Sequence, residues 1–159
     1  MQPEVIIYTD GAAKGNPGPG GFGLILHHVP SGKRKEYAKG FRYTTNNRME
    51  LLAVIEGLLL LKKPNISVLV VSDSKYVVDA VEKKWVFNWE KKQFKDKKNP
   101  DLWIQFLQLF RQHQIRFQWI KGHNLHPENE RCDQLAQRAA TQQNQAIDRA
   151  YEQETNKLF

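Results

Sequence analysis

The sequence predicts an α/β fold: a five-stranded mixed sheet, three antiparallel strands followed by two parallel ones, with helices on both faces. Three observations carry this. Three β-rich segments joined by turn residues come before residue 45. The hydrophobic period then changes to a helical one. Beyond it, short apolar runs alternate with helical segments, the pattern of parallel strands joined by crossovers.

Val5–Thr9 (VIIYT) is β-branched and aromatic and meets Asp10-Gly11, which predicts a strand and a turn. The glycine- and proline-rich stretch from Gly11 to Gly21 reads as loop. Phe22–Val29 and Glu36–Thr44 read as strands around the turn Pro30-Ser31-Gly32-Lys33. From Asn46 to Lys62, Met49, Leu52, Ala53, Ile55, Glu56 and Leu59 recur at helical spacing, and Pro64 stops the run. Val68–Val71 is an unbroken apolar run of the kind buried on both faces of a parallel sheet, and it ends at Ser72-Asp73-Ser74. Helices are expected over Ser74–Glu82, Trp85–Phe94 and Pro100–His113, a last strand over Ile115–Ile120, a loop over Lys121–Pro127 and a helix over Glu128–Gln142. Residues 1–141 thus make one domain. Residues 142–159 form a polar tail, loosely helical or disordered, because it is poor in core formers.

The chain has 159 residues and a net charge of +7. No apolar run approaches the roughly 20 residues of a membrane span, and the N-terminus lacks the basic start of a signal peptide. No membrane association is expected. One cysteine, Cys132, excludes an internal disulfide framework and a multi-cysteine zinc site, so a cytoplasmic setting is expected. Beside Asp133, Cys132 reads as a small buried hydrophobe. With no large apolar stripe left for an interface, a monomer is expected. Residues 83–98 hold seven lysines against Glu90 and Asp96, interleaved with Trp85, Phe87, Trp89 and Phe94. That pattern suits a polyanion with flat faces, such as nucleic acid. It equally fits a solvated helix whose aromatics pack on the core.

Four carboxylates fall at the ends of elements. Asp10 closes the first strand and Asp73 the fourth. If those strands run side by side and parallel, both side chains emerge at one sheet edge, where ligand sites of open α/β sheets lie. Glu50 and Asp133 lie early in the helices after the third and fifth strands, and either can face that edge. Carboxylates gathered there repel one another unless cations intervene. Hard oxygen ligands suit Mg2+ or Mn2+, and two such ions about 4 Å apart are an arrangement for phosphodiester cleavage. Taken singly, a strand-terminal Asp is a turn former and an early helical Glu a dipole partner. The joint placement carries the inference.

Four stretches, in order, extend this reading: YTDGAAKGNPGPGGFG (Tyr8–Gly23), TTNNRMEL (Thr44–Leu51), SDSKYV (Ser72–Val77) and KGHNLHPENERCDQLA (Lys121–Ala136). Together they resemble the type 1 ribonuclease H family over about residues 3–141. The resemblance implies a ribonuclease H-like fold and an endonuclease that hydrolyses the RNA strand of RNA–DNA hybrids, leaving 5′-phosphate and 3′-hydroxyl ends. It implies two Mg2+ ions, with Mn2+ able to substitute, held by Asp10, Glu50, Asp73 and Asp133. His123 corresponds to the histidine that assists proton transfer.

For the substrate, the resemblance implies Thr45 and Asn99 at a DNA phosphate, with Asn16, Asn46 and Asn47 at the minor groove. Amides both donate and accept, which suits the 2′-OH that distinguishes RNA. Asn46 is also expected to cap its helix, and His126 to cap the last one. Trp85 and Trp89 match the tryptophans of a basic handle, with Trp89 expected in the DNA channel and Trp85 more buried. The chain departs from the pattern in a shorter segment between Phe94 and Asp101, and in Lys75, which stands where glutamine is common. A non-catalytic hybrid-binding module would be expected to have lost one of the acids, and all four are present.

Overall fold

The computed structural model describes residues 2–122 and 125–156. Its strands are β1 (Val5–Ala13), β2 (Gly18–His28), β3 (Arg34–Thr44), β4 (Ser67–Ser72) and β5 (Gln114–Trp119). Its helices are α1 (Asn46–Leu59), α2 (Lys75–Glu82), α3 (Trp85–Lys91), α4 (Pro100–Phe110), α5 (Pro127–Ala140) and α6 (Arg149–Asn156). The strands form one sheet in the order β3-β2-β1-β4-β5. β1–β2 and β2–β3 pair antiparallel, while β4 joins β1 and β5 in parallel. This is the mixed sheet the sequence predicts.

One difference lies between residues 11 and 21. β1 continues past Asp10 to Ala13, and β2 begins at Gly18, so most of the expected loop is strand. The glycines answer a packing demand. Alternate strand residues face opposite sides of a sheet, and a Cβ on Gly20 would lie 2.6 Å from Thr44 Cγ2. One on Gly21 would lie 2.7 Å from the Ala136 carbonyl of α5. Thr44 belongs to β3; the helix on that face is α1, whose Met49 Cγ would lie 3.3 Å from the Gly20 Cβ, while α5 closes on the other face.

The main core lies between β1, β4, β5 and helices α1 to α4, with Ile7, Leu51, Ile55, Trp103 and Phe106 fully buried. α1 stops at Leu59, short of the expected Lys62, and α4 at Phe110. The segment after α5 is tied to the domain. Ala146 bridges to Phe41, and Asp148, 8% exposed, is buried against Thr44 and Arg48. No helix among the described residues is long and apolar enough to cross a membrane.

Candidate metal and nucleic-acid site

Strand register brings the first two acids together. Tyr8 of β1 pairs with Val71 of β4 in parallel, so Asp10 and Asp73, each two residues further on, leave the same sheet edge. Two close approaches add the others. A Cβ on Gly11 would stand 2.5 Å from the backbone of Met49 and Glu50. Glycine there lets the start of α1 lie against β1 and sets Glu50 beside Asp10. On the other side Asp10 pairs with Gly23, where a Cβ would meet Cys132 O at 2.6 Å. That contact sets α5, and with it Asp133, over the same edge.

One carboxylate oxygen from each of Asp10, Glu50 and Asp73 lies within 4.8 Å of the others. Asp133 stands outside that closest triad and lines the same cavity, with Asn46, Asn47, Lys75, Tyr76 and Gln137. Asp10 is 6% exposed. Burial, then the charges of Asp73 and Asp133, push its pKa up to about 8, opposed by the Gly11 N–H that donates to its Oδ1 at 3.0 Å. Burial, then Asp10 and Asp73, also raise Glu50 well above the carboxylate range. Glu50 Oε1 is buried with no hydrogen-bond partner among the described residues. An unsatisfied buried oxygen facing mutually repelling carboxylates is a donor set that fits a hard divalent cation.

The predicted nucleic-acid contacts fall on both sides of this cluster. Thr45 N-caps α1, accepting the Arg48 N–H at 3.2 Å, so the cap is Thr45 and the expected Asn46 cap is corrected. Asn46 serves another bond: its Oδ1 accepts the Ala13 N–H, while its own N–H donates to Asn16 Oδ1 at 3.0 Å. Asn16, Asn46 and Ala13 are thereby joined beside the carboxylates, and Asn47 is exposed in the cavity wall. His126 caps α5, accepting the Asn129 N–H at 3.2 Å. His123 lies outside the described residues.

A second cavity is lined by Tyr76, Trp85, Trp89, Asp96, Lys97 and Lys98. The expected burial of the two tryptophans is reversed. Trp85 is 45% exposed with Lys83 over its ring, while Trp89 packs edge-on against buried Trp103, centroids 5.8 Å apart. The turn that starts α3 at left-handed Lys84 aims Val86 into the core, and Trp89, three residues on, follows it inward.

Sequence reasoning missed the network behind Thr45 and Asn99. Buried Arg48 donates to Asn99 Oδ1 at 3.2 Å, to both oxygens of Asp101, and to both of Asp148. Tyr76 Oη accepts from Asn99 Nδ2 at 3.0 Å and from Trp103 Nε1 at 2.9 Å. An arginine three residues after the cap of an apolar helix was the available signal.

A sequence model of the RNase H family matches residues 2–141. The chain is 52% identical over 150 residues to a ribonuclease H of Desulforamulus reducens, covering 91% of this chain and 92% of that one. It is 49% identical over 154 residues to a ribonuclease H of Trichodesmium erythraeum, covering 94% and 96%. Among solved structures it is similar to LC9-RNase H1, a type 1 RNase H with the type 2 active-site motif. The TM-score is 0.77 at 32% identity, over 96% of this chain and 81% of that one. LC11-RNase H1 in complex with RNA/DNA hybrid superposes with a TM-score of 0.60 at 27% identity, over 92% and 99%.

Proposed function

The chain belongs to the ribonuclease H family, and from that premise we propose that it is a metal-dependent endonuclease hydrolysing the RNA strand of RNA–DNA hybrids, leaving 5′-phosphate and 3′-hydroxyl ends. The observation that carries this reading is the gathering of Asp10, Glu50 and Asp73 at one sheet edge, with Asp133 on the same cavity.

These four carboxylates would hold two Mg2+ ions, for which Mn2+ can substitute. Bound there, the ions supply charge neutralisation and Lewis acidity at the scissile phosphate. The protein's own groups do the rest. The carboxylates, pre-positioned by register and by the helix contacts at Gly11 and Gly23, fix where the phosphate sits. His123, matched to the family's histidine by sequence, assists proton transfer and product departure.

Asn16, Asn46 and Asn47 address the wide minor groove on one side and sense the 2′-OH. Thr45 and Asn99, with Arg48 behind them, receive a DNA-strand phosphate. Trp85 and Trp89, among the lysines of residues 83–98, form the wall of a channel for the DNA strand. Cutting depends on hybrid shape and little on base sequence. The chain acts as a monomer in the cytoplasm.

The deciding experiment is cleavage of an end-labelled RNA–DNA hybrid beside the same RNA single-stranded and beside double-stranded DNA, with Mg2+ and with EDTA. Cuts in the hybrid alone, dependent on metal and lost in Asp10→Asn, are the expected result. A salt-sensitive gel shift without cutting would reduce the chain to a binding module. Cutting of double-stranded DNA would place it with nucleases of another substrate.

A further inference from the structure

We propose that Lys75, held on the face of Trp119, binds a phosphate of the RNA strand beside the scissile one, on the β5 side of the carboxylates; the inference rests on the hybrid-cutting reading above.

Lys75 is the one cationic side chain among the described residues that line the carboxylate cavity. It is the first residue of α2, at the positive end of that helix, where a lysine is electrostatically disfavoured. Ion pairs involve other lysines, Lys63 and Lys83; among the described residues Lys75 has none. Its Nζ lies instead 4.7 Å from the ring centroid of Trp119.

Trp119 ends β5 and is 42% exposed. Its Nε1 donates to the Asp73 carbonyl at 3.0 Å. The indole is therefore tied to the backbone of one of the carboxylate residues, and the ammonium rests on a fixed plate rather than sweeping freely. An ammonium that entered the carboxylate cluster would compete with a bound cation. Stacked on Trp119, it stays beside the cluster and keeps its three donors available.

Placement gives the direction. Along the sheet edge the order is Asp10 on β1, Asp73 after β4 and Trp119 on β5. Neighbouring strands are about 4.8 Å apart, so Trp119 stands roughly 10 Å from the line of β1. Asn16, in the β1–β2 connection, and Asn46, at the start of α1 and bonded to Ala13 of β1, hold the opposite side. A strand laid across the carboxylates is met by amides before them and by an ammonium after them. A point charge with donors alone suits a phosphate oxygen. Trp119 acts through Lys75 and is a positioning residue.

The test is hybrid binding followed by fluorescence anisotropy over a salt series, in an Asp10→Asn background that leaves the duplex uncut. Lys75→Gln should reduce the slope of log affinity against log salt by about one, and Lys75→Arg should keep it. Trp119→Leu should lower the slope in the same direction, with little further change when Lys75→Gln is added. A single neutral methylphosphonate at the RNA phosphate beside the scissile one should weaken binding by the parent and leave Lys75→Gln nearly indifferent. An unchanged slope in Lys75→Gln, or equal methylphosphonate losses in both proteins, overturns the proposal. No hybrid binding by the parent overturns the substrate reading itself, and the proposal with it.

Discussion

The guanidinium of Arg48 grips both carboxylate oxygens of Asp148, 100 residues away in the chain, with Nε at 2.7 Å and Nη2 at 2.9 Å. Asp148 also accepts the Thr44 hydroxyl at 2.7 Å. Both charges are nearly out of water, at 4% and 8% side-chain exposure. Removing one partner of such a pair leaves a buried charge uncompensated, which costs about 3–5 kcal/mol. Asp101 still serves Arg48, so Asp148→Ala should lose about 3 kcal/mol, the lower end. Urea unfolding measures this, and an unchanged midpoint would show that the segment after α5 adds nothing to stability.

That segment marks a limit of sequence reading. Residues 142–156 are polar, and their main anchor is one carboxylate whose partner, Arg48, sits in an apolar helix. Neither position has a periodicity that reports the other. The glycines of residues 11–23 misled for a related reason. Composition signals a turn, whereas Gly20, Gly21 and Gly23 are spaces into which helices pack, and only the fold brings those helices there. By contrast β4 was legible, because a strand buried on both faces must be apolar throughout. Asp10 and Asp73 were legible as neighbours once parallel pairing of their strands was inferred. The exposures of Trp85 and Trp89 were not, since they depend on the left-handed Lys84 that starts α3.

The carboxylate cluster should make metal-free protein less stable as pH rises. Asp10 is held at about 8, mainly by burial, above its ordinary 3.8, and Glu50 shifts in the same direction. The folded state then binds more protons than the unfolded chain between those values. Stability is greatest below the unfolded pKa and falls as pH climbs towards 8. In EDTA the Tm should drop between pH 5 and pH 8, Mg2+ should raise it more at pH 8, and Asp10→Asn should flatten the slope. A Tm that rises with pH in EDTA would contradict the buried, mutually repelling site.

Gly11 should matter for activity beyond its small size. A Cβ there meets the backbone of Met49 and Glu50 at 2.5 Å, which no side-chain rotation relieves. Gly11→Ala should push the start of α1 from β1 and draw Glu50 away from Asp10. Overpacking of this kind costs about 1–3 kcal/mol. A displacement near 1 Å can cost about 100-fold in rate. Hybrid cleavage should therefore fall by about that factor in protein that remains folded by circular dichroism, and near-normal turnover would mean that Glu50 tolerates displacement.

Tyr76 joins the core to the predicted DNA-phosphate position. Its hydroxyl oxygen accepts from Trp103 Nε1, whose ring is fully buried, and from Asn99 Nδ2. Tyr76→Phe leaves both donors without that acceptor. A buried donor left unpaired costs about 1–3 kcal/mol, so urea unfolding should show a loss in that range. Asn99 keeps its contact with Arg48 Nη1 at 3.2 Å, so it should loosen rather than leave. Hybrid affinity should then fall several-fold while the rate of cutting at saturation changes little, because Asn99 stands apart from the carboxylate cavity. Loss of stability with unchanged affinity would separate Tyr76 from substrate binding. A fall in saturated rate would instead mean that the hydroxyl supports α2, and through it Asp73, more than it supports Asn99.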